Sequence, residues 1–244
     1  MTLIAALQGQ DGLVMAADSR GTIGDPRALT AINDVQNKLF QLSNYCGIAV
    51  SGAAELAARL IDNLSKSIKN ANLEYVDDIV NHTYTCFKQE YFNWFGARAW
   101  AGTAQIIDQR PVSIFILAGF NKLGEGQFQS RIYMVNSQLD FAPHLCTSGH
   151  FLAGIPQYAT YLIHRLYNPQ MTIVHLSALA AYLIAETATQ DPKVGGPIRI
   201  AQITQEKGYE ELRESSVSLI VKQNEEQNQK MKQFFFGGDK GDIK

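Results

Sequence analysis

The sequence predicts an α+β fold in which antiparallel sheets carry helices packed outside them. Strand-like segments come in hairpin groups, and helical periodicity comes in pairs of segments between those groups. The resulting order is strands, two helices, strands, two helices, strands. A doubly wound parallel sheet alternates strand with helix, so this order argues against one. With 244 residues, 46% of them hydrophobic, the chain can build one substantial core. A single main domain is expected over 1–222, followed by a polar tail over 223–244.

Residues 2–8 and 13–18 are apolar runs joined by Gly9-Gln10-Asp11-Gly12. Asp-Gly in such a connection signals a hairpin, because glycine supplies the positive φ of the turn. Residues 19–37, with Gly21, Gly24 and Pro26, read as an irregular connection. Residues 38–42 and 46–51 form a second hairpin with Ser43-Asn44 at its tip. A helix follows Gly52, with Leu56, Leu60, Leu64 and Ile68 four residues apart and Ile61 beside them. A second helix over about 74–92 places Val76, Ile79, Val80, Thr83, Phe87 and Tyr91 on one face. Residues 112–119 and 131–136 return to strand chemistry. Two further helices are expected at about 150–167, broken at Pro156, and 172–189, with Thr172 as N-cap. Residues 198–204, 208–212 and 216–222 read as closing strands. The tail, ending in Phe234-Phe235-Phe236, reads as an amphipathic or frayed terminus, with a docking peptide as the rival reading.

Composition excludes several classes. A formal charge of −2 gives no electrostatic reason for a nucleic-acid or anionic-membrane partner. The amino terminus lacks the pattern of a signal peptide, and no apolar run reaches the roughly 18 residues of a membrane span. Cys46, Cys86 and Cys146 are too scattered for a disulfide framework or zinc site. A cytoplasmic protein is expected. The histidines His82, His144, His150, His164 and His175 show no metal-ligand spacing and read as structural. The aromatic group Tyr91, Phe92, Trp94, Phe95 and Trp100 reads as core or subunit contact.

Chemistry enters at Thr2, which follows Met1 directly. Removal of Met1 would leave a threonine with hydroxyl and α-amine on one residue. That amine has an ordinary pKa of about 7.7–8 and can accept the hydroxyl proton, a known route to an activated nucleophile. Taken singly, the other polar residues have plain readings. Asp18 is a turn residue with Arg20 its solvated neighbour, Lys38 a strand-edge lysine and Gly52 a strand-to-helix joint. Ser148 is a helix cap, and Asp191 before Pro192 a helix end.

Their order changes the reading. Met1-Thr2, then Gly12-Leu13-Val14-Met15-Ala16-Ala17-Asp18-Ser19-Arg20, then Lys38-Leu39-Phe40, then Gly47-Ile48-Ala49-Val50-Ser51-Gly52 resembles a proteasome β-type subunit. Thr147-Ser148-Gly149, Met171-Thr172 and the stretch from Asp191 to Gly195-Gly196 continue the likeness, which spans about 2–212. The family includes bacterial and archaeal proteasome β-subunits, HslV and the Anbu proteins, all amino-terminal-nucleophile hydrolases. The resemblance implies their fold, a four-layer αββα sandwich of two antiparallel sheets flanked by helices.

It also implies roles. Thr2 is the nucleophile, exposed by a methionine aminopeptidase. Lys38 is an ammonium that lowers the pKa of the Thr2 amine and hydroxyl, and Asp18 pairs with it. The Gly52 N–H stabilises the oxyanion. Ser148 and Asp191 orient the Thr2 amine. Val50 and Ala54 line an uncharged pocket for the residue before the scissile bond. One departure stands out: Val194 occupies a position where many active members carry serine. The implied function is a threonine-type endopeptidase acting on peptides or unfolded proteins, in a homo-oligomeric ring, without metal or organic cofactor. Nothing in the sequence identifies an ATPase partner. The rival readings are a catalytically silent ring or scaffold subunit that keeps Met1, and a transpeptidase in which an amine resolves the acyl-enzyme.

Overall fold

The computed structural model describes residues 2–24, 30–96 and 110–236. The chain runs β1 (Leu3–Gln8), β2 (Leu13–Ala17), β3 (Gly21–Gly24), β4 (Thr30–Asn33), β5 (Leu39–Gln41), β6 (Cys46–Gly52), α1 (Ala54–Ala71) and α2 (Val76–Phe95). After them come β7 (Ser113–Gly124), β8 (Gln127–Asn136), β9 (His144–Leu145), β10 (His150–Gly154), α3 (Gln157–Leu166), α4 (Ile173–Gln190), β11 (Arg199–Thr204), β12 (Gly208–Glu211) and α5 (Glu214–Phe236). One five-stranded sheet has the order β10-β1-β2-β11-β12 and another β5-β6-β7-β8-β9, with every pairing antiparallel. The fold is α+β, as the grouped hairpins predict.

The period of two along a strand, with both faces covered, explains why Leu3–Leu7 of β1 and all of β2 are apolar. Leu3, Leu7, Val14 and Ala16 share a core with Ala159 and Ile163 of α3, Leu176 and Ile184 of α4 and Val217 of α5. The alternate residues Ile4, Ala6, Leu13, Met15 and Ala17 pack instead with Leu39, Ala49, Ile116 and Ala118 of the second sheet. That second sheet turns Ile48, Val50, Phe115 and Leu117 toward Leu60, Leu64, Ile79 and Phe87 of α1 and α2. The expected face of α2 is the buried one, residue for residue: Val76, Ile79, Val80, Thr83, Phe87 and Tyr91. Tyr91 packs edge-on against Phe141 and at a tilt against Phe95 and Trp94, while Phe92 is exposed; Trp100, the last of the expected aromatic group, lies outside the described residues.

Several expectations change. Within 19–37, a short hairpin forms, β3 pairing with β4 from Gly21↔Asn33 to Gly24↔Thr30; Pro26 lies outside the described residues. The first part of the expected 150–167 helix is the strand β10, paired along all of Leu3–Leu7. Pro156 opens α3 instead of breaking it, because a first-turn position needs no N–H. Residues 216–222 are helical, not a strand, as part of α5. The helical reading lies in the spacing of Val217, Ile220 and Val221, which pack on the core. One and two turns on, Asn224 donates to the Ala178 carbonyl at 2.9 Å and Asn228 to Glu186 at 2.7 Å. The helix thus continues unbroken across 222/223. Finally, Thr172 stands at the N-cap of α4 without capping it; its hydroxyl meets His175 Nδ1 at 3.0 Å. Among the described residues no helix is long and apolar enough to cross a membrane.

Candidate active site

Thr2 lies immediately before β1 and is 5% exposed. Its carbonyl accepts the Ile155 N–H at 2.8 Å, which extends the β1–β10 pairing by one step and fixes the Thr2 backbone. Gly154, opposite Leu3, has φ +98°, and a Cβ there would collide with the Thr2 carbonyl and the Ser51 hydroxyl. Only glycine fits this approach.

Asp18 ends β2 and is fully buried. One carboxylate oxygen accepts the Leu3 N–H at 3.0 Å and Lys38 Nζ at 2.8 Å. The other accepts the N–H groups of Arg20 at 3.2 Å and Gly195 at 3.1 Å. Four donors satisfy a buried charge that would otherwise be expensive to keep. Lys38, 3% exposed, comes just before β5 and gives a second hydrogen bond to the Arg20 carbonyl at 2.7 Å. Burial pushes the Lys38 ammonium below the ordinary lysine pKa of 10.5, while Asp18 and, more weakly, Asp34 pull it back.

Gly52 ends β6 on the pocket side. Its φ of +113°, with any Cβ driven into the Val112 carbonyl, reserves the position for glycine. The Ala53 N–H is held by that same carbonyl at 3.0 Å, and α1 starts at Ala54 with no side-chain cap. A helix start of this kind presents unpaired N–H groups and the positive end of the helix dipole. Thr2, Lys38, Val50, Ser51, Gly52 and Ala54, with Gln36, Asn37, Phe40 and Ala58, line one open pocket of about 290 Å³. Among the described residues a larger hollow of about 1120 Å³ lies between α4 and α5, but its lining holds no buried charged pair.

The structure therefore brings six of the eight expected positions together: Thr2, Asp18, Lys38, Gly52, Val50 and Ala54. Asp191 caps the end of α4; its carboxylate accepts the Lys193 N–H at 2.8 Å, and its loop reaches Asp18 through Gly195. Ser148 does not join them, and its expected place beside the Thr2 amine is corrected here. The antiparallel register sets Gly154 opposite Leu3 and hands the Gln8 N–H to the Gly149 carbonyl. Ser148 thus lies past the far end of the six-residue β1, about 20 Å from Thr2 at roughly 3.3 Å per residue. There it is exposed and donates to the His150 carbonyl at 3.0 Å. Val194 is fully buried in the core beneath α4.

Residue-by-residue reading missed two features. Arg20 is not a solvated neighbour of Asp18: it grips Asp34 with both ends of its fork, at 2.8 and 2.9 Å, and donates to the Pro192 carbonyl at 3.0 Å. Ser51 is buried against Gly154 beside Thr2. Asp34 offered no local signal, since its partner lies 14 residues away.

Two comparisons with known proteins bear on the family of this chain. The sequence model of a family described as "Proteasome subunit" matches residues 2–98. That stretch contains the six residues the fold brings together, but neither Ser148 nor Asp191. A proteasome subunit beta of Methanosphaera stadtmanae is 26% identical over 214 residues, covering 87% of this chain and 91% of that protein.

Proposed function

With the proteasome β-type family that these two matches support as the premise, we propose that this chain is a threonine endopeptidase acting through Thr2 once Met1 has been removed. The single observation that carries the reading is the buried Lys38–Asp18 pair, whose Lys38 lines the pocket that also holds Thr2. The three core clusters, one between the sheets and one under each helix layer, support the four-layer αββα sandwich of the amino-terminal-nucleophile hydrolases.

In this mechanism the Thr2 amine takes the proton of its own hydroxyl, and Oγ1 attacks the carbonyl carbon of the scissile peptide. The Lys38 charge lowers the pKa of both Thr2 groups. Negative charge on the tetrahedral oxygen is met by the N–H of Gly52, which ends β6 two residues before α1, a donor worth about 2.7–4 kcal/mol. The amine then passes its proton to the departing amine of the product, leaving an ester on Thr2. Water attacks that ester, the second product leaves as an acid, and Thr2 is regenerated. Val50, Ala54 and Ala58 give the pocket small apolar walls, which suits an uncharged residue before the scissile bond.

Proteasome β subunits form rings, and the same assembly is proposed here as a homo-oligomer; a stable monomer in light scattering at micromolar concentration would refute it. A second reading, a catalytically silent ring subunit, is favoured by the placement of Ser148, which leaves the Thr2 amine without one of its two expected partners, and by the buried Val194, where many active relatives carry serine. Intact mass and a peptide epoxyketone separate the two. The peptidase reading expects loss of Met1, an adduct on both Thr2 hydroxyl and amine, and no adduct or cleavage in Thr2→Ala. Retained Met1 with no cleavage supports the silent subunit.

A further inference from the structure

Asp34 lies in the segment between β4 and β5 that carries Lys38, and no regular secondary structure supports residues 34–38. What holds this segment is a set of rungs to residues 18–20. The Arg20–Asp34 fork is the first, at 2.8 and 2.9 Å. The Gln36 N–H to the Ser19 carbonyl, at 3.0 Å, is the second. Lys38 Nζ to Asp18 and to the Arg20 carbonyl closes the series. Arg20 also binds the Pro192 carbonyl and packs on Gly195, whose N–H donates to Asp18, and Gly196 backs directly onto Asp34.

We propose that Asp34 is a positioning residue, which through Arg20 holds both the Lys38 ammonium and the Gly195 N–H on the Asp18 carboxylate. The physical argument is one of register. Lys38 reaches two acceptors, one of which is the backbone of Arg20, so displacement of Arg20 displaces that acceptor. The Arg20 side chain takes its geometry from a planar two-point match to a carboxylate, which an amide cannot reproduce with charge. Asp34 also faces Lys38 electrostatically, where its negative charge opposes the burial that drives the ammonium toward neutrality. The other charged groups of this corner are Asp18, Arg20 and, on the adjoining loop, Asp191 and the exposed Lys193. Asp34 is 40% exposed at its side chain, so Asp34→Asn should leave the core intact.

Only the kinetic arm of the test rests on the threonine-peptidase reading. In the full-length protein, the titration of Lys38 is followed by NMR on isotope-labelled lysine, with the signal assigned by its absence in Lys38→Arg. Asp34→Asn is expected to lower the Lys38 titration midpoint and to speed exchange of the Gln36 and Gly195 amides about tenfold. Asp34→Glu, which keeps the charge, is expected to restore most of both. For peptide cleavage, Asp34→Asn is expected to reduce kcat about tenfold with KM within about twofold, the pattern of a displaced catalytic group. Unchanged Lys38 titration and amide exchange in Asp34→Asn overturn the proposal, whether or not the protein cleaves peptides. A wild-type protein that cuts nothing counts against the peptidase reading instead, and the titration and exchange then decide the role of Asp34.

Discussion

Replacing Lys38 by methionine keeps the length and apolar stem of the side chain and removes only the ammonium. Lys38 is 3% exposed and its partner Asp18 fully buried, so the substitution strands a carboxylate without its counter-charge. Breaking one side of a buried pair costs about 3–5 kcal/mol. Asp18 keeps three N–H donors, from Leu3, Arg20 and Gly195, which places the loss at the low end, about 3 kcal/mol. With a urea m-value of about 3 kcal/mol/M, the upper end for small proteins, the unfolding midpoint should fall by about 1 M. Wild type and variant must be compared at one protomer concentration, because subunit association shifts apparent stability. The companion variant is Asp18→Asn, which strands the ammonium in turn. The double variant Lys38→Met/Asp18→Asn should cost less than the sum of the singles by about 2–3 kcal/mol, the coupling of the pair. A loss below about 1 kcal/mol in Lys38→Met, or strict additivity in the double variant, would refute the argument that this pair is a coupled buried unit.

Three further outcomes follow from the geometry. Ser148→Ala should leave peptide cleavage within about twofold of wild type, since the register holds Ser148 about 20 Å from Thr2; a collapse of kcat would show the register to be wrong. Gly154→Ala should cost about 1–3 kcal/mol in thermal or urea unfolding through its positive φ and the collision with the Thr2 carbonyl, and should weaken epoxyketone capture by moving Thr2. Burial holds the Lys38 pKa below 10.5, so cleavage that needs the ammonium should decline on the alkaline side before pH 10.5. The stability sign is opposite: between the folded and unfolded pKa values the unfolded chain binds more protons, so this group's contribution rises with pH across that window and is flat below it. An alkaline limb unmoved by Lys38→Arg would detach Lys38 from the pH profile.

Much of this molecule was legible in the one-dimensional pattern because the determinants were local. The Gly9–Gly12 connection produced the β1–β2 hairpin, and spacings of three and four residues selected the buried faces of α1 and α2. Thr2, Asp18, Lys38 and Gly52 could be picked out because each stands at the start or end of a strand whose neighbours are apolar, in a serial order shared with a known family. What failed were judgements in which partners distant in sequence compete with local propensity. His150–Gly154 reads as helix until β1 supplies a ladder for it, and Val217–Val221 reads as strand until α4 supplies the acceptors for Asn224 and Asn228. Ser148 looked close to Thr2 by motif order alone, but an antiparallel register is a long-range quantity that assigns its position from the opposite end of β1. The Arg20–Asp34 fork and the meeting of Gly195 with Asp18, 177 residues apart, come from the same cause. Charge and hydrogen-bonding capacity are written in the residues themselves, whereas which capacities meet is decided only when the sheets and helices pack.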